Sequence, residues 1–215
     1  MQRPVDRNLY APSEAWRLAR LGGNRNLTYT SALRWLRRSD AQRHRRAAYT
    51  FRDMIGLVVV ARLAERGVRG REIAKAWDQD VRKGRRPFSG RVLTDGRDVL
   101  SVGSRAELEE TTSVFLLNRG EQGTMPALLP VLRLEEVTYS SEDDLVESWR
   151  VRPRIIVDPA VSWGAPHLEG RRLTTADVAA LRAVMDEEKL AWAYDLDPAL
   201  AREAVEFEAD LALAG

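Results

Sequence analysis

The sequence predicts a mixed α+β fold that is mainly helical and has small β elements. Apolar residues recur at helical spacing in several stretches, and short β-prone runs flank turn residues between them. With 44% hydrophobic residues among 215, the chain can bury a packed core. We expect three parts, namely a helical head with a small wing (residues 1–103), a β-rich connector that could dimerise the protein (104–152), and a small helical tail domain (153–215).

Two short helices are predicted near the start of the head. The first covers residues 10–20 and is ended by Gly22 and Gly23. The second covers residues 28–38, with Thr28 as its N-cap. Two short helices joined by a glycine-containing turn form a helix-turn-helix pattern.

The rest of the head is predicted to hold a wing and two longer helices. Residues 39–50 are polar and basic without helical periodicity, which is typical of a small hairpin beside a helix pair. Thr50 and Asp53 have the spacing of a capping box and so start a third helix, which Gly67 ends. A fourth helix is predicted over residues 70–83.

Shorter elements follow. Two β-prone runs around Asp95 and Gly96 predict a hairpin, whereas residues 104–120 fit a helix or a strand equally well. Further strands are expected at 137–139, 145–151 and 155–157. Three short helices end the chain, at 176–186, 188–194 and from 198 onwards, and could form a second helix-turn-helix-like unit.

Charge is distributed unevenly along the chain. Residues 1–87 contain 21 Lys and Arg against 8 Asp and Glu, whereas residues 88–215 contain 13 against 24. A basic segment attracts a polyanion, because neutralised phosphates release counterions from nucleic acid. The alternative is a solvated basic face that only offsets the acidic half.

The sequence offers little for catalysis. The chain has no cysteine, and its two histidines, His44 and His167, lack a metal-ligand spacing. No nucleophile elbow or phosphate-binding loop occurs, and adjacent acidic pairs point apart on a helix or strand. We therefore expect no catalytic residue, metal or cofactor. Without a long apolar stretch or a signal segment, the chain is also expected to be cytoplasmic and to have no membrane partner.

The head resembles a family of known DNA-binding proteins. YAPSEAWRLARL, SALRWLRR, FRDMIGLVVVARLAERGVRGREIAKAW and LTDGRDVL together resemble the winged helix-turn-helix head of MerR-like regulators. In that family the second helix enters the major groove and the wing touches the DNA backbone. The resemblance places Thr30, Arg34, Trp35 and Arg37 on that second helix.

Nine residues are candidates for DNA contact. The arginines among them can form bidentate hydrogen bonds to phosphate and to guanine. Those on the second helix and its start are Thr28, Tyr29, Thr30, Arg34, Arg37 and Arg38; those on the wing are Arg43, Arg45 and Arg46. The alternative for the arginines is plain surface charge, and Tyr29 could simply pack.

The tail resembles a second family. IIVDPAVSWGAPHLEGRRLTTADVAAL resembles a small domain of unknown function found in antitoxins. The pattern matches at Asp158, Pro159, Gly164, Pro166, Gly170 and Arg172. Read from the residues alone, these prolines and glycines are more typical of a structural turn than of a ligand loop.

Head and tail together resemble large VapB-type antitoxins, which pair with a PIN-like ribonuclease toxin. The resemblance implies a non-enzymatic homodimer that neutralises such a toxin and represses its own operon by binding operator DNA. Trp163, Arg171 and Arg172 are the candidate toxin contacts, since an arginine could pair with the carboxylates of a metal-dependent nuclease. Trp192 and Tyr194 are expected in the core. The alternative function is a stand-alone MerR-like transcriptional regulator that senses a small ligand.

Overall fold

The protein is mixed α+β, as the sequence predicts. The computed structural model describes residues 8–22, 26–38, 48–94, 99–102, 136–143 and 145–214. The helices within these ranges are α1 (Pro12–Gly22), α2 (Tyr29–Arg38), α3 (Phe51–Glu65), α4 (Gly70–Arg82), α5 (Thr175–Arg182), α6 (Glu187–Tyr194) and α7 (Pro198–Leu213). The strands are β1 (Asn8–Tyr10), β2 (Tyr49–Thr50), β3 (Arg91–Thr94), β4 (Val99–Val102), β5 (Val137–Tyr139), β6 (Val146–Arg152), β7 (Ile155–Val157) and β8 (His167–Leu168).

Helix α3 forms the centre of the main core. The predicted capping box is present: the Thr50 hydroxyl accepts from the Asp53 amide, and the Asp53 carboxylate accepts from the Thr50 amide at 2.9 Å. Every residue from Phe51 to Ala61 is buried, because α1, α2 and α4 all pack against this helix. A surface helix usually buries one face only, so the surrounding elements cover α3 more completely than is usual.

The residues around the start of α2 are held against α1. The Trp16 indole nitrogen donates to the Leu27 carbonyl at 2.7 Å, and the same ring meets Tyr29 edge-on with centroids 5.3 Å apart. Thr28 caps α2, as predicted, since its hydroxyl accepts from the Ser31 amide at 3.2 Å. The start of α2 is therefore fixed relative to α1.

Two small antiparallel ladders flank these helices. Strand β1 pairs with β2, which leads directly into α3. The predicted hairpin around Asp95-Gly96 is confirmed in its strands, because β3 pairs with β4 in the register Thr94 to Val99. Most of the predicted wing (39–47) and the segment 103–135 lie outside the described residues.

A four-stranded antiparallel sheet has the order β5-β6-β7-β8. Buried apolar residues of β5, β6 and β7, with Trp149 only 1% exposed, join the main core around α3, whereas Leu168 of β8 packs among the last three helices. Since its strands lie between residues 137 and 168, the sheet includes residues from both sides of the boundary expected at position 152.

The last three helices surround a smaller second core. Thr174, Asp186 and Asp197 cap them, and Val178, Leu190 and Ala204 are fully buried between them. The helix expected over residues 176–186 is shorter and ends at Arg182. No helix within the described ranges has the length and apolarity needed to cross a bilayer.

The prediction that Trp192 and Tyr194 lie in the core is wrong. Trp192 is 86% exposed and Tyr194 is 39% exposed. Leu190 is the residue of α6 that enters the core, and a helix turns about 100° per residue, so position 192 points away from it. Aromatic content alone could not separate core from surface here.

Candidate functional site

The outward face of α2 is polar and basic. Ala32 and Leu36 face the core, whereas Thr30, Arg34 and Arg37 are exposed. Positions 30, 34 and 37 recur at spacings of four and three, so they share one face of the helix. No hydrogen bond or ion pair joins the side chain of Arg34 or Arg37 to another described residue. The helix thus presents two neighbouring guanidinium groups to solvent.

Helix α2 is held on its scaffold by an aromatic contact as well as by its apolar residues. Trp35 packs on Trp77 of α4 with ring centroids 5.2 Å apart, and Trp77 in turn meets Phe88 edge-on at 5.6 Å. Trp77 and Phe88 are each only 1% exposed. A rigid aromatic base under α2 fixes the direction in which Arg34 and Arg37 project.

Arg38 has a different role from the other two arginines. Its guanidinium donates twice to Asp78 of α4, at 2.6 and 2.5 Å. The hydrogen bond from Arg38 lowers the pKa of Asp78, and the same bond raises the pKa of Arg38. Arg38 therefore connects α2 to α4, and its donors are committed within the molecule.

This pair predicts a pH dependence of stability. Because the folded pKa of Asp78 lies below the ordinary value of about 3.9, its contribution is present above that pH and is lost as the pH falls through the folded pKa. The difference in unfolding free energy between the wild type and Asp78→Asn should be constant from about pH 5 to 7 and shrink below about pH 4. Urea unfolding over that pH range measures it. A difference that does not change with pH would contradict the pairing.

Among the remaining predicted DNA contacts, Thr28 and Tyr29 lie within the described residues, whereas the three arginines of the wing do not. The Thr28 hydroxyl donates to the Ser31 hydroxyl at 3.0 Å while capping α2, and Tyr29 is 39% exposed against Trp16. Both residues therefore stabilise the start of α2 and still reach the surface. Arg43, Arg45 and Arg46 lie outside the described residues.

Two acidic side chains of the head are buried and paired. Asp53 accepts from Arg86 at 3.1 Å, and Asp80 accepts from Arg85 at 2.6 Å and from the Phe88 amide at 2.9 Å. Asp53 and Asp80 are 4% and 1% exposed, so neither contributes a carboxylate to the surface. Each pair removes one negative and one positive charge, so the excess of basic residues in the head is unchanged by the burial.

The predicted partner contacts of the tail lie around one turn. Trp163 is 74% exposed, and Ser162, Trp163 and Gly164 have successive φ angles of 47°, 57° and 79°. This left-handed region is costly for bulky side chains, so neighbouring groups have to hold the turn. The Ser162 hydroxyl donates to the Arg172 carbonyl at 2.8 Å, which places Trp163 beside the Arg171–Arg172 segment.

The two adjacent arginines of the tail are not equivalent. Arg171 donates to the Tyr194 carbonyl at 3.0 Å and the Asp195 carbonyl at 2.5 Å, which satisfies the end of α6. The Arg172 side chain is exposed, and no described residue pairs with it. Arg172 is thus available to a partner, whereas Arg171 is engaged within the fold.

The sequence interpretation missed Trp192 and Tyr194 as surface residues. The Arg171 contact brings Tyr194, at the end of α6, next to the segment that Trp163 flanks. The sequence does contain a signal for Trp192. Residues on the buried face of α6 lie three or four positions from Leu190, whereas Trp192 lies two positions from it.

The glycines of the tail motif have a structural role. Gly164 and Gly170 both have left-handed φ angles, 79° and 72°, in agreement with the turn interpretation. His167 is only 4% exposed and its Nδ1 lies 3.0 Å from the Ala165 carbonyl. Among the residues that the structure covers, no three His, Asp or Glu side chains converge as a metal site would require.

Comparisons with known proteins inform the fold. The chain matches no protein-family model and no curated protein. Among solved structures, it is similar to the X-ray crystal structure of Rv2018 from Mycobacterium tuberculosis, with 18% sequence identity and a TM-score of 0.62. The match covers 94% of this chain and 99% of the other, so the two proteins share a fold over almost their whole length.

Proposed function

We propose that the protein is a DNA-binding antitoxin of a type II toxin–antitoxin system. The observation that carries this proposal is the outward face of α2, where Arg34 and Arg37 lie one turn apart without an intramolecular partner among the described residues. Two cations at that spacing on the exposed face of a helix suit a DNA groove, where arginine contacts base edges and phosphates.

The elements around α2 support a winged helix-turn-helix head. Helices α1 and α2 rest on α3 as a packed pair, and the β1–β2 ladder stands at the end of the basic segment that the sequence predicts as a wing. In this proposal α2 reads the major groove, the wing contacts the backbone, and a homodimer reads two half-sites of the operator.

Binding to a duplex from the region upstream of the protein's own gene tests the DNA-binding part. Fluorescence anisotropy should give an affinity that falls steeply with salt, with a slope of about −0.9 per neutralised phosphate in a plot of log K against log salt concentration. A scrambled duplex should bind more weakly at every salt concentration. An affinity that is independent of salt would overturn the proposal.

The proposed tail function is to bind a PIN-like ribonuclease toxin. Residues 158–214 contain 12 Asp and Glu against 5 Lys and Arg. An enzyme that binds RNA presents a basic surface, which this acidic tail complements. Trp163 supplies an exposed aromatic anchor, and Arg172 supplies a cation for the carboxylates of the nuclease metal site.

The tail arginines make separable predictions for toxin inhibition. Arg172→Ala should weaken inhibition of the ribonuclease by about tenfold, because it removes a charge-assisted contact. Arg202→Ala is the matched control: Arg202 is an exposed tail arginine bound to Glu187, and its loss should change inhibition little. A ribonuclease assay against antitoxin concentration measures both. Undiminished inhibition by the double variant Arg171→Ala, Arg172→Ala would exclude this arginine role.

The alternative, a regulator that senses a small ligand, has less support. A groove between the ends of α1 and α7 has a volume of about 160 Å³ and is lined by Arg20, Leu21, Asp210, Leu213 and Ala214. Sites for small ligands usually measure about 300–1,000 Å³ and are mostly apolar. This groove is smaller and is flanked by charged side chains, so the antitoxin function remains our proposal.

A further inference from the structure

A direct contact joins the Trp163 turn of the tail to the first strand of the head. The Tyr10 hydroxyl donates to the Gly164 carbonyl at 2.9 Å, and Tyr10 is only 1% exposed. A Cβ added at Gly164 would lie 2.4 Å from the Tyr10 hydroxyl oxygen and 3.2 Å from the Leu9 side chain. The turn therefore lies against β1 with no room for an additional methyl group.

Strand β1 is connected to the base of the predicted wing and to α1, the helix that packs against α2. Tyr10 pairs with Tyr49 of β2, the strand that follows the predicted wing. The next residue, Ala11, accepts the first helical hydrogen bond of α1 from the Ala15 amide at 2.9 Å. A displacement of Tyr10 is consequently transmitted to the base of the wing and to the start of the first helix.

The backbone of the turn is strained and is held by hydrogen bonds within it. Its three successive left-handed residues are held by hydrogen bonds from the Gly164 amide to Val161 at 2.9 Å and from the Ala165 amide to Ser162 at 3.1 Å. Strained backbone of this kind persists only while its surroundings enforce it. A partner that binds Trp163 therefore acts on the hydrogen bonds that hold this strained backbone.

We propose that the Tyr10–Gly164 contact couples the Trp163 turn to the DNA-binding head, so that a protein partner on the turn changes the affinity of the head for DNA. This inference rests on the proposed function, since it needs both binding activities. Coupling between two sites is reciprocal, so DNA bound to the head must also change the state of the turn. The reciprocal direction can be measured without the toxin.

The experiment uses the full chain labelled with 5-fluorotryptophan and observed by ¹⁹F NMR. The chain has six tryptophans, and a Trp163→Phe variant assigns the Trp163 resonance. Random-sequence duplex DNA at low salt is the probe, because phosphate contacts alone suffice for binding. We expect DNA to shift the Trp163 resonance, while the Trp192 resonance, from an 86% exposed residue of α6, stays in place as an internal control.

Tyr10→Phe removes the hydroxyl and keeps the ring, so it isolates the hydrogen bond. In this variant the DNA-induced shift at Trp163 should fall below about half of the wild-type shift, with DNA affinity within about twofold. An undiminished shift would overturn the coupling, since DNA would then reach Trp163 by another route. If DNA binds the wild type and leaves Trp163 unmoved, the coupling fails while the proposed function stands; if DNA does not bind, both fail.

A matched pair of glycine substitutions gives a second, independent test of the coupling. Gly164→Ala and Gly170→Ala impose the same left-handed strain on alanine, but only the first new methyl group meets Tyr10, since the second has nothing within 4 Å. Gly164→Ala should move the Trp163 resonance without DNA and abolish its response to DNA. Gly170→Ala should leave both unchanged. Equal behaviour of the two variants would contradict the inference.

Discussion

Replacing Arg34 and Arg37 together by alanine is expected to lower the affinity for the operator duplex by about 100-fold. Each arginine contact to a base edge or phosphate is worth about 1–3 kcal/mol, and two such losses of about 1.4 kcal/mol multiply to that factor. Neither side chain has a partner among the described residues, so their removal should leave the fold intact. Anisotropy titrations with wild type and variant measure the change.

The matched control removes the same charge from the same basic half. Arg66 and Arg69 are exposed and lie in the turn between α3 and α4. The double variant Arg66→Ala, Arg69→Ala should bind operator within about threefold of wild type, which bounds the general electrostatic effect. If both double variants lose affinity equally, the head binds DNA through its overall charge, and the recognition role of α2 is wrong.

The salt dependence separates phosphate contacts from base contacts. If Arg34 and Arg37 both neutralise phosphates, the slope of log K against log salt concentration should become less steep by about 1.8 in the double variant. If they read bases instead, the slope should hardly change while discrimination against the scrambled duplex is lost. Either result assigns a contact type to this face of α2.

Much of the local structure was predictable because its causes are local. The capping box at Thr50 and Asp53 spans three residues, and the start of α7 follows from Asp197-Pro198 alone. The same holds for the β3–β4 pairing around Asp95-Gly96. In each case the deciding hydrogen bonds or backbone angles are set by neighbouring residues.

The differences between chemically identical site residues were not predictable, because distant partners cause them. Arg34 and Arg38 look alike in the sequence, yet Arg38 is bound by Asp78, which is 40 positions away. The hydroxyl of Tyr10 meets Gly164 across 154 positions. Periodicity and spacing contain no information about such pairings, so the sequence could nominate the site but not divide it into contacting and positioning residues.

A large effect on stability is expected from a substitution at the end of α1. A Cβ added at Gly22 would lie 1.8 Å from one ring carbon of Trp149 and 2.4 Å from another. Trp149 lies in β6 and is only 1% exposed, so its ring has no free space to move into. Gly22→Ala is expected to destabilise the protein by about 3 kcal/mol, the upper part of the range for overpacking, as measured by urea unfolding.

Gly70→Ala is the matched control for this prediction. Gly70 also lies at a helix end, but a Cβ there meets nothing within 4 Å, so alanine should be neutral or slightly stabilising. Equal effects of the two alanines would show that contact with Trp149 imposes no cost at Gly22.

A double-mutant cycle then tests whether the Gly22–Trp149 contact joins the head to the sheet. Trp149→Ala alone should cost about 3–5 kcal/mol, because it empties a buried site. In the double variant the alanine at position 22 enters the space that the ring leaves. The double variant should therefore be destabilised by about 1–3 kcal/mol less than the sum of the two single destabilisations. Additive costs would contradict the contact. A cycle with the expected sign would mean that the helix pair presenting Arg34 and Arg37 unfolds together with the four-stranded sheet, so that mutations in either part lower DNA binding through the folded population.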